Sequence, residues 1–332
     1  MASTCPGATV WAPPSPEQSI MSETITVYAP ATIANLGPGY DIIGMAVTGL
    51  GDRAEATLAD GSGVTLDAIT GDEGRLPLDP TLNTTTVGAR RALEAIEAPA
   101  GLGVRLTLHK GLPLGSGLGS SAASAVVGAF AAATLAGRAE PRLNLLQACC
   151  DAEKVAAGVA HADNVGPSLL GGVVLIRRYN PVEVVQLPAP EELRLVIGMP
   201  AWSISTREAR EVLPRKVPLS DAVANSGNVA AMIAGFFRGD LELIGRSMED
   251  TIVEPVRAPL IPAFLKVKRA AIEAGALGCS ISGAGPACFA LAHDDATARR
   301  VAEVMERTWS AEGITSKAHI GRIDTQGARV MP

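Results

Sequence analysis

The sequence predicts an α+β fold, because short alternating segments of strand type are interleaved with longer helical runs along the whole chain. Two further observations refine this. A glycine- and serine-rich loop joins one such strand to an alanine-rich helix, and a segment with three prolines near the middle suggests a division into two parts. At 332 residues the chain is long enough for two domains or one large one.

In order, Thr24–Tyr28 and Arg53–Leu58 are expected as strands, and Thr81–Glu97 as a helix carrying Val87, Leu93 and Ile96 on one face. A strand at Val104–His109 leads into the loop, whose helix ends at Gly137, and a second helix runs over Arg142–Ala157. A strand follows at Val173–Arg178, and Asn180–Glu192 is the expected linker. Beyond it come a strand at Leu193–Gly198 and helices at Ala222–Phe237, Leu241–Met248 and Pro262–Ala274. Strands at Ala287–Ala292 and Ser316–Ile320 flank a last helix, Ala296–Ala311.

Composition narrows the function. Apolar residues make up 47% of the chain but aromatic ones only 3%, so the core must rest on Ala, Val, Leu and Ile. A net charge of −6 without basic runs speaks against a nucleic-acid partner. Five cysteines without a C-x-x-C pair suggest a reducing compartment, hence the cytoplasm, without structural zinc or disulfides. No segment reads as membrane-spanning; the best candidate, Ala122–Gly137, is too short. Met1–Ile20 lacks the basic start of a secretory signal. It is expected to be a disordered extension, or sequence upstream of a start at Met21.

The loop Leu112-Pro113-Leu114-Gly115-Ser116-Gly117-Leu118-Gly119-Ser120-Ser121-Ala122-Ala123-Ser124 carries the chemistry. Its glycines let the backbone curl, and the helix start leaves amide N–H groups unpaired, which together suit a phosphate. No Gly-Lys-Ser/Thr follows, so it is not a P-loop. Ser120 stands where a dinucleotide fingerprint needs its last glycine. The protein-kinase motifs are absent. On the second helix, Glu153 falls on one stripe with Leu143, Leu146, Cys150 and Ala157. Burying a carboxylate there requires a positive partner, and positions 149, 150, 156 and 157 are uncharged. A magnesium ion carrying nucleotide phosphates fits as a partner supplied by tertiary structure; the alternatives are a distant arginine, or a Glu153 that reaches solvent at the edge of the stripe.

The loop resembles the ATP-binding motif of the GHMP kinases. Two more motifs of that superfamily occur in the expected order, Ala29-Pro30-Ala31-Thr32-Ile33-Ala34-Asn35-Leu36-Gly37-Pro38-Gly39-Tyr40-Asp41 and Ser280-Ile281-Ser282-Gly283-Ala284-Gly285-Pro286-Ala287. Within the superfamily the chain resembles the homoserine kinases, through His161-Ala162-Asp163-Asn164-Val165, Ser205-Thr206-Arg207-Glu208-Ala209-Arg210 and Glu254-Pro255-Val256-Arg257-Ala258. The similarity runs from about Val27 to the C-terminus.

This resemblance implies a ribosomal-S5-like ATP-binding domain over residues 21–180 and a ferredoxin-like domain over 190–332, with substrate in the cleft between them. It implies ATP and Mg²⁺ as cofactors, L-homoserine as the small-molecule substrate, and a homodimer. The nucleotide would lie on residues 113–122 and Ser124, with Asn83 near the adenine, and Ser121 and Glu153 would hold the metal. Arg210 and Arg257 would take the substrate carboxylate, a pairing that guanidinium geometry favours, with Asn35 and Asp41 at its ammonium. His161 and Asn164 would lie near the reacting hydroxyl, and Thr206 would line the cleft. Taken singly, each has a structural alternative: Arg210 has Glu211 and Asp221 near in sequence, and Asp41 fits a turn. Asp163 is the nearest carboxylate to serve as base, whereas the resemblance suggests that Asn164 acts with no dedicated base. The chain departs from the family pattern at Tyr40, where phenylalanine is more usual, and at Ile42-Ile43, which replace a bulkier pair.

Overall fold

A computed structural model describes residues 24–332; the expectations for Met1–Ile20 and for a start at Met21 lie outside the described residues. In chain order, β1 (Ile25–Ala34), β2 (Ile43–Ala59) and β3 (Gly63–Thr70) lead to α1 (Thr84–Ala95), β4 (Gly103–His109) and α2 (Ser120–Leu135). Next come α3 (Leu143–Ala157), α4 (Ala162–Leu170), β5 (Val173–Tyr179), β6 (Val182–Leu187), β7 (Arg194–Pro200) and α5 (Thr206–Glu211). The chain continues through α6 (Leu219–Arg238), α7 (Leu241–Arg246), α8 (Glu254–Arg257), α9 (Phe264–Glu273) and β8 (Gly278–Ile281). It closes with β9 (Cys288–Ala292), α10 (Asp295–Ala311), β10 (Ser316–Gly321) and β11 (Arg329–Val330).

The first sheet has the order β11-β1-β2-β4-β3, and β5 and β6 join it through β2. All its pairings are antiparallel except β3 with β4. On the edge away from β1, β2 serves two neighbours: Ile43–Met45 pair with β5, and Arg53–Ala59 pair with β4. Helix α2 packs on β1 and β2 with almost every side chain buried, which accounts for its run of alanines. Small residues also set its distance from α1. A Cβ on Gly128 would stand 1.9 Å from the carbonyl oxygen of Thr85, a contact no side chain tolerates.

The second sheet, β10-β7-β9-β8, is wholly antiparallel. Its strand alternation joins the two halves of the molecule. Leu195, Ile197, Phe289 and Leu291 face the core shared with the first sheet. Val196, Cys288, Ala290 and Ala292 face a second core with Phe264 and Val267 of α9 and Met305 and Trp309 of α10. No helix among the described residues is long and apolar enough to cross a membrane.

Several expectations change. The expected linker contains strand β6, paired with β5. Its prolines, 181, 188 and 190, flank the strand and leave Val182, Val184 and Val185 free to extend it. The C-terminal residues do not stay with the second sheet, because β11 returns to pair with β1. α4 contains Pro167, so its helical pattern was hidden, and β3, α5, α8 and β8 are short or weakly patterned. α1 starts at Thr84 rather than Thr81, because the Asn83 side chain caps it by accepting from the Thr85 N–H. On α3, Leu143 is exposed, and the buried stripe begins with Leu145 and Leu146.

Candidate active site

The three motifs converge on one cleft of about 310 Å³. Its floor is the loop between β4 and α2. Leu112 and Leu118 are buried anchors, and the backbone between them arches outward. At Gly119 the chain takes φ +66°, and the free amides of α2 begin immediately after it. The C-terminal motif clamps the loop: the Ser282 hydroxyl donates to the Gly117 carbonyl at 2.7 Å, and the Ala287 N–H donates to the Ser116 carbonyl at 3.1 Å. A Cβ on Gly117 would lie 2.5 Å from the Ser282 carbonyl oxygen, so this clamp needs glycine.

Of the loop residues expected to hold nucleotide, Leu114, Gly115, Ser116, Gly117, Gly119, Ser120, Ser121 and Ser124 line the cleft. Pro113, Leu118 and Ala122 do not. Leu118 and Ala122 turn into the core, and Pro113 is exposed on the loop's outer side. Asn83 lines the far end with Leu76, Pro77 and Leu82, an apolar wall that motif reading did not reveal. The Asn83 amide itself is occupied, accepting from the Thr85 N–H and donating to the Pro77 carbonyl.

Glu153 meets its partners across the fold, as the uncharged helix neighbourhood required. One carboxylate oxygen accepts from the Ser121 hydroxyl at 2.9 Å and lies 3.1 Å from His161 Nδ1. The other, Oε2, is buried with no partner, and so is His161 Nε2. Burial alone would lower the pKa of His161, but the hydrogen bond and charge of Glu153 outweigh it and raise the pKa. An orphaned carboxylate oxygen beside a serine hydroxyl, facing a phosphate loop, fits a hard cation completed by nucleotide oxygens.

At the opposite end the charged groups gather. One Arg210 guanidinium nitrogen lies 3.2 and 3.1 Å from the two carboxylate oxygens of Asp41. The guanidinium groups of Arg210 and Arg257 both lie over the Tyr40 ring, 5.7 and 5.2 Å from its centroid. Arg257 is buried and donates to the carbonyls of Ala209 and Gly283, tying α5 to the C-terminal motif. Asn35, at φ +74°, accepts from the Asp41 N–H and donates to the Gly283 carbonyl. Its amide thus holds Asp41 in place. Asp163 is buried between these groups, and burial with the nearby charge of Asp41 pushes its carboxyl up to about 7. Asn164 and Thr206 line the cleft, Thr206 opening α5 behind the Ser205 cap.

A second buried network escaped the motifs. Lys110 and Asp52 form an ion pair with side chains 1% and 0% exposed. Lys110 Nζ also donates to the Ser120 carbonyl at 2.9 Å, and Ser124 Oγ lies 2.9 Å from both charged groups. The remaining Asp52 oxygen accepts from the N–H groups of Gly111 and Leu112 at 3.0 and 3.2 Å. The pair therefore staples the entry of the loop to the first turn of α2. Desolvation lowers the Lys110 pKa against the attraction of Asp52. Nothing local marks this pair, since the partners are 58 residues apart.

Comparisons with known proteins agree with this geometry. The family models described as "GHMP kinases N terminal domain" and "GHMP kinases C terminal" match residues 87–172 and 232–311. The homoserine kinase of Chlorobium phaeobacteroides (strain BS1) is 44% identical over 319 residues, covering 93% of this chain and 100% of the relative. That of Arabidopsis thaliana is 40% identical, covering 93% and 85%. The crystal structure of homoserine kinase from Cytophaga hutchinsonii superposes with a TM-score of 0.90 at 45% identity, over 94% of this chain and 98% of that one. With the phosphate loop, its clamp and the charged end of the cleft in place, this chain belongs to the homoserine kinase family of the GHMP kinases.

Proposed function

We propose that the cleft transfers the γ-phosphoryl group of ATP to the side-chain hydroxyl of L-homoserine, giving O-phospho-L-homoserine and ADP. One observation carries the proposal. Asp41, Arg210 and Arg257, complementary to an amino-acid zwitterion, line the same cleft as the phosphate loop, and Asn164 lines it with them.

Phosphoryl transfer depends chiefly on positioning and charge stabilisation. The loop amides and the start of α2 bind phosphate oxygens, and the wall of Leu76, Pro77 and Leu82 receives the base. Ser121 and Glu153 would hold Mg²⁺, which when bound neutralises charge on the phosphates. Arg210 and Arg257 bind the substrate carboxylate and Asp41 its ammonium, which aims the hydroxyl along the cleft toward Asn164 and His161. The hydroxyl oxygen bonds to phosphorus as the bond to ADP breaks. Its proton leaves to a phosphate oxygen or to solvent. Asp163 is not required as a base.

A homodimer completes the proposal, supported by Leu219 and Val223, one turn apart and exposed on α6. Sedimentation of the purified protein checks it. Four buried free thiols, Cys149, Cys150, Cys279 and Cys288, support a cytoplasmic location, which fractionation of the source cells checks.

The primary test is ADP release with Mg-ATP and L-homoserine, L-threonine, mevalonate, galactose or shikimate. Turnover selective for L-homoserine is expected. Preference for an alcohol without an amino-acid head would discard the zwitterion clamp.

A further inference from the structure

Thr32 is fully buried on β1, at the meeting point of the phosphate loop and the acceptor end of the cleft. Its N–H donates to the carbonyl of Leu118 at 3.1 Å, which ties β1 to the loop. Its hydroxyl donates to Asn164 Oδ1 at 2.8 Å. Gly119 packs directly on this pair: a Cβ there would lie 2.1 Å from Thr32 Oγ1 and 2.9 Å from Asn164 Oδ1.

A threonine hydroxyl has one proton, and a buried hydroxyl must place it on an acceptor. The Asn164 amide oxygen is the acceptor here. The amide nitrogen is therefore left on the other side, 3.5 Å from Asp163 Oδ1. The reverse orientation would turn the amide nitrogen toward Thr32 and leave its buried hydroxyl proton without an acceptor. An amide nitrogen offers two protons and takes none.

We propose that Thr32 is a positioning residue that sets the orientation of the Asn164 amide, so that Asn164 meets the acceptor hydroxyl as a hydrogen-bond donor. It acts through Asn164 and touches neither substrate. Because Thr32 and Gly119 pack together, the position of the phosphate loop and that of the Asn164 amide are set by one contact. This inference rests on the placement of Asn164 at the reacting hydroxyl proposed above.

The test is steady-state kinetics and thermal melting of Asn164→Ala, Thr32→Val, Thr32→Ser and the Thr32→Val/Asn164→Ala double variant. Thr32→Val is expected to lower kcat about tenfold, the loss of one oriented hydrogen bond, with KM for ATP within about twofold. Thr32→Ser keeps the hydroxyl and is expected to stay within about threefold of the parent. In the Asn164→Ala background, Thr32→Val is expected to cost nothing further in kcat. Equal loss in both backgrounds would overturn the inference, since Thr32 would then act independently of Asn164. A risen KM for ATP with unchanged kcat would assign Thr32 to the loop alone and also overturn it. Parental kcat in Asn164→Ala would overturn the placement of Asn164, and the inference with it. Should Thr32→Val not fold, Thr32→Ala against Thr32→Ser isolates the same hydroxyl with the same expected outcomes.

Discussion

Arg210 and Asp41 pair across the charged end of the cleft, with one guanidinium nitrogen 3.2 and 3.1 Å from the two carboxylate oxygens. Each side chain is still about a third exposed, at 29% and 30%, so the pair can open to admit a ligand bearing both charges. A zwitterion replaces one internal ion pair with two. A ligand with a single charge leaves either the arginine or the aspartate without its partner.

Arg210→Ala is accordingly expected to raise KM for L-homoserine by about 30-fold or more, the scale of a charge-assisted hydrogen bond, and to leave KM for ATP unchanged. Initial rates with each substrate varied in turn check this. A matching rise in KM for ATP would show that the arginine supports the cleft generally. Arg257→Ala should cost stability as well, because Arg257 also holds the Ala209 and Gly283 carbonyls.

Glu153→Gln keeps the shape of the side chain but removes its charge beside Ser121. Expected is a fall in kcat of about 10²–10³-fold, the usual scale for losing a preorganised charge-stabilising group. The Mg²⁺ concentration needed for half-maximal rate should rise. A magnesium titration at fixed ATP decides it, and an unshifted midpoint would leave Glu153 only its bonds to Ser121 and His161.

Asp163 supplies a pH signature. Its carboxyl is raised from 3.8 to about 7, with burial as the main cause and the charge of Asp41 as the next. Between these values the folded chain keeps a proton that the unfolded chain releases, so the group's contribution to stability falls as pH rises through that window. The span corresponds to a difference on the order of 4 kcal/mol. Asp163→Asn should flatten the dependence of melting temperature on pH between 4 and 7 and make the protein more stable above it. Activity should persist; a loss of about 10³-fold would identify Asp163 as a required base.

Lys110→Met tests the staple beneath the loop. Removing one member of a buried ion pair strands the other, a cost of about 3–5 kcal/mol. Denaturation should show that loss, and Lys110→Met/Asp52→Asn should recover part of it. Full stability in the single variant would mean that Asp52 is satisfied by the Gly111 and Leu112 N–H groups alone.

Much of the molecule was legible in residue order, because its chemistry is concentrated in contiguous motifs. The phosphate loop shows itself through glycines at a strand–helix junction, and Glu153 through a charge on an apolar stripe whose helical neighbours are neutral. Strand β6 lies in a segment bracketed by prolines, and its pairing with β5 is what makes it a strand rather than a linker. β11 could not be anticipated, since two residues acquire strand character only from the β1 edge they pair with.

The mixed α+β class, the phosphate loop and the charged residues of the cleft are all legible in residue order. Those properties reside in local backbone freedom, in periodicity and in side-chain type. How these groups are partnered follows from the folded arrangement of the chain. Lys110 with Asp52, Thr32 with Asn164, and Arg257 with Gly283 join residues 58, 132 and 26 positions apart. Local spacing cannot encode such pairs. Each forms because burial makes an unmatched donor or charge costly, and the fold alone decides which acceptor lies within reach.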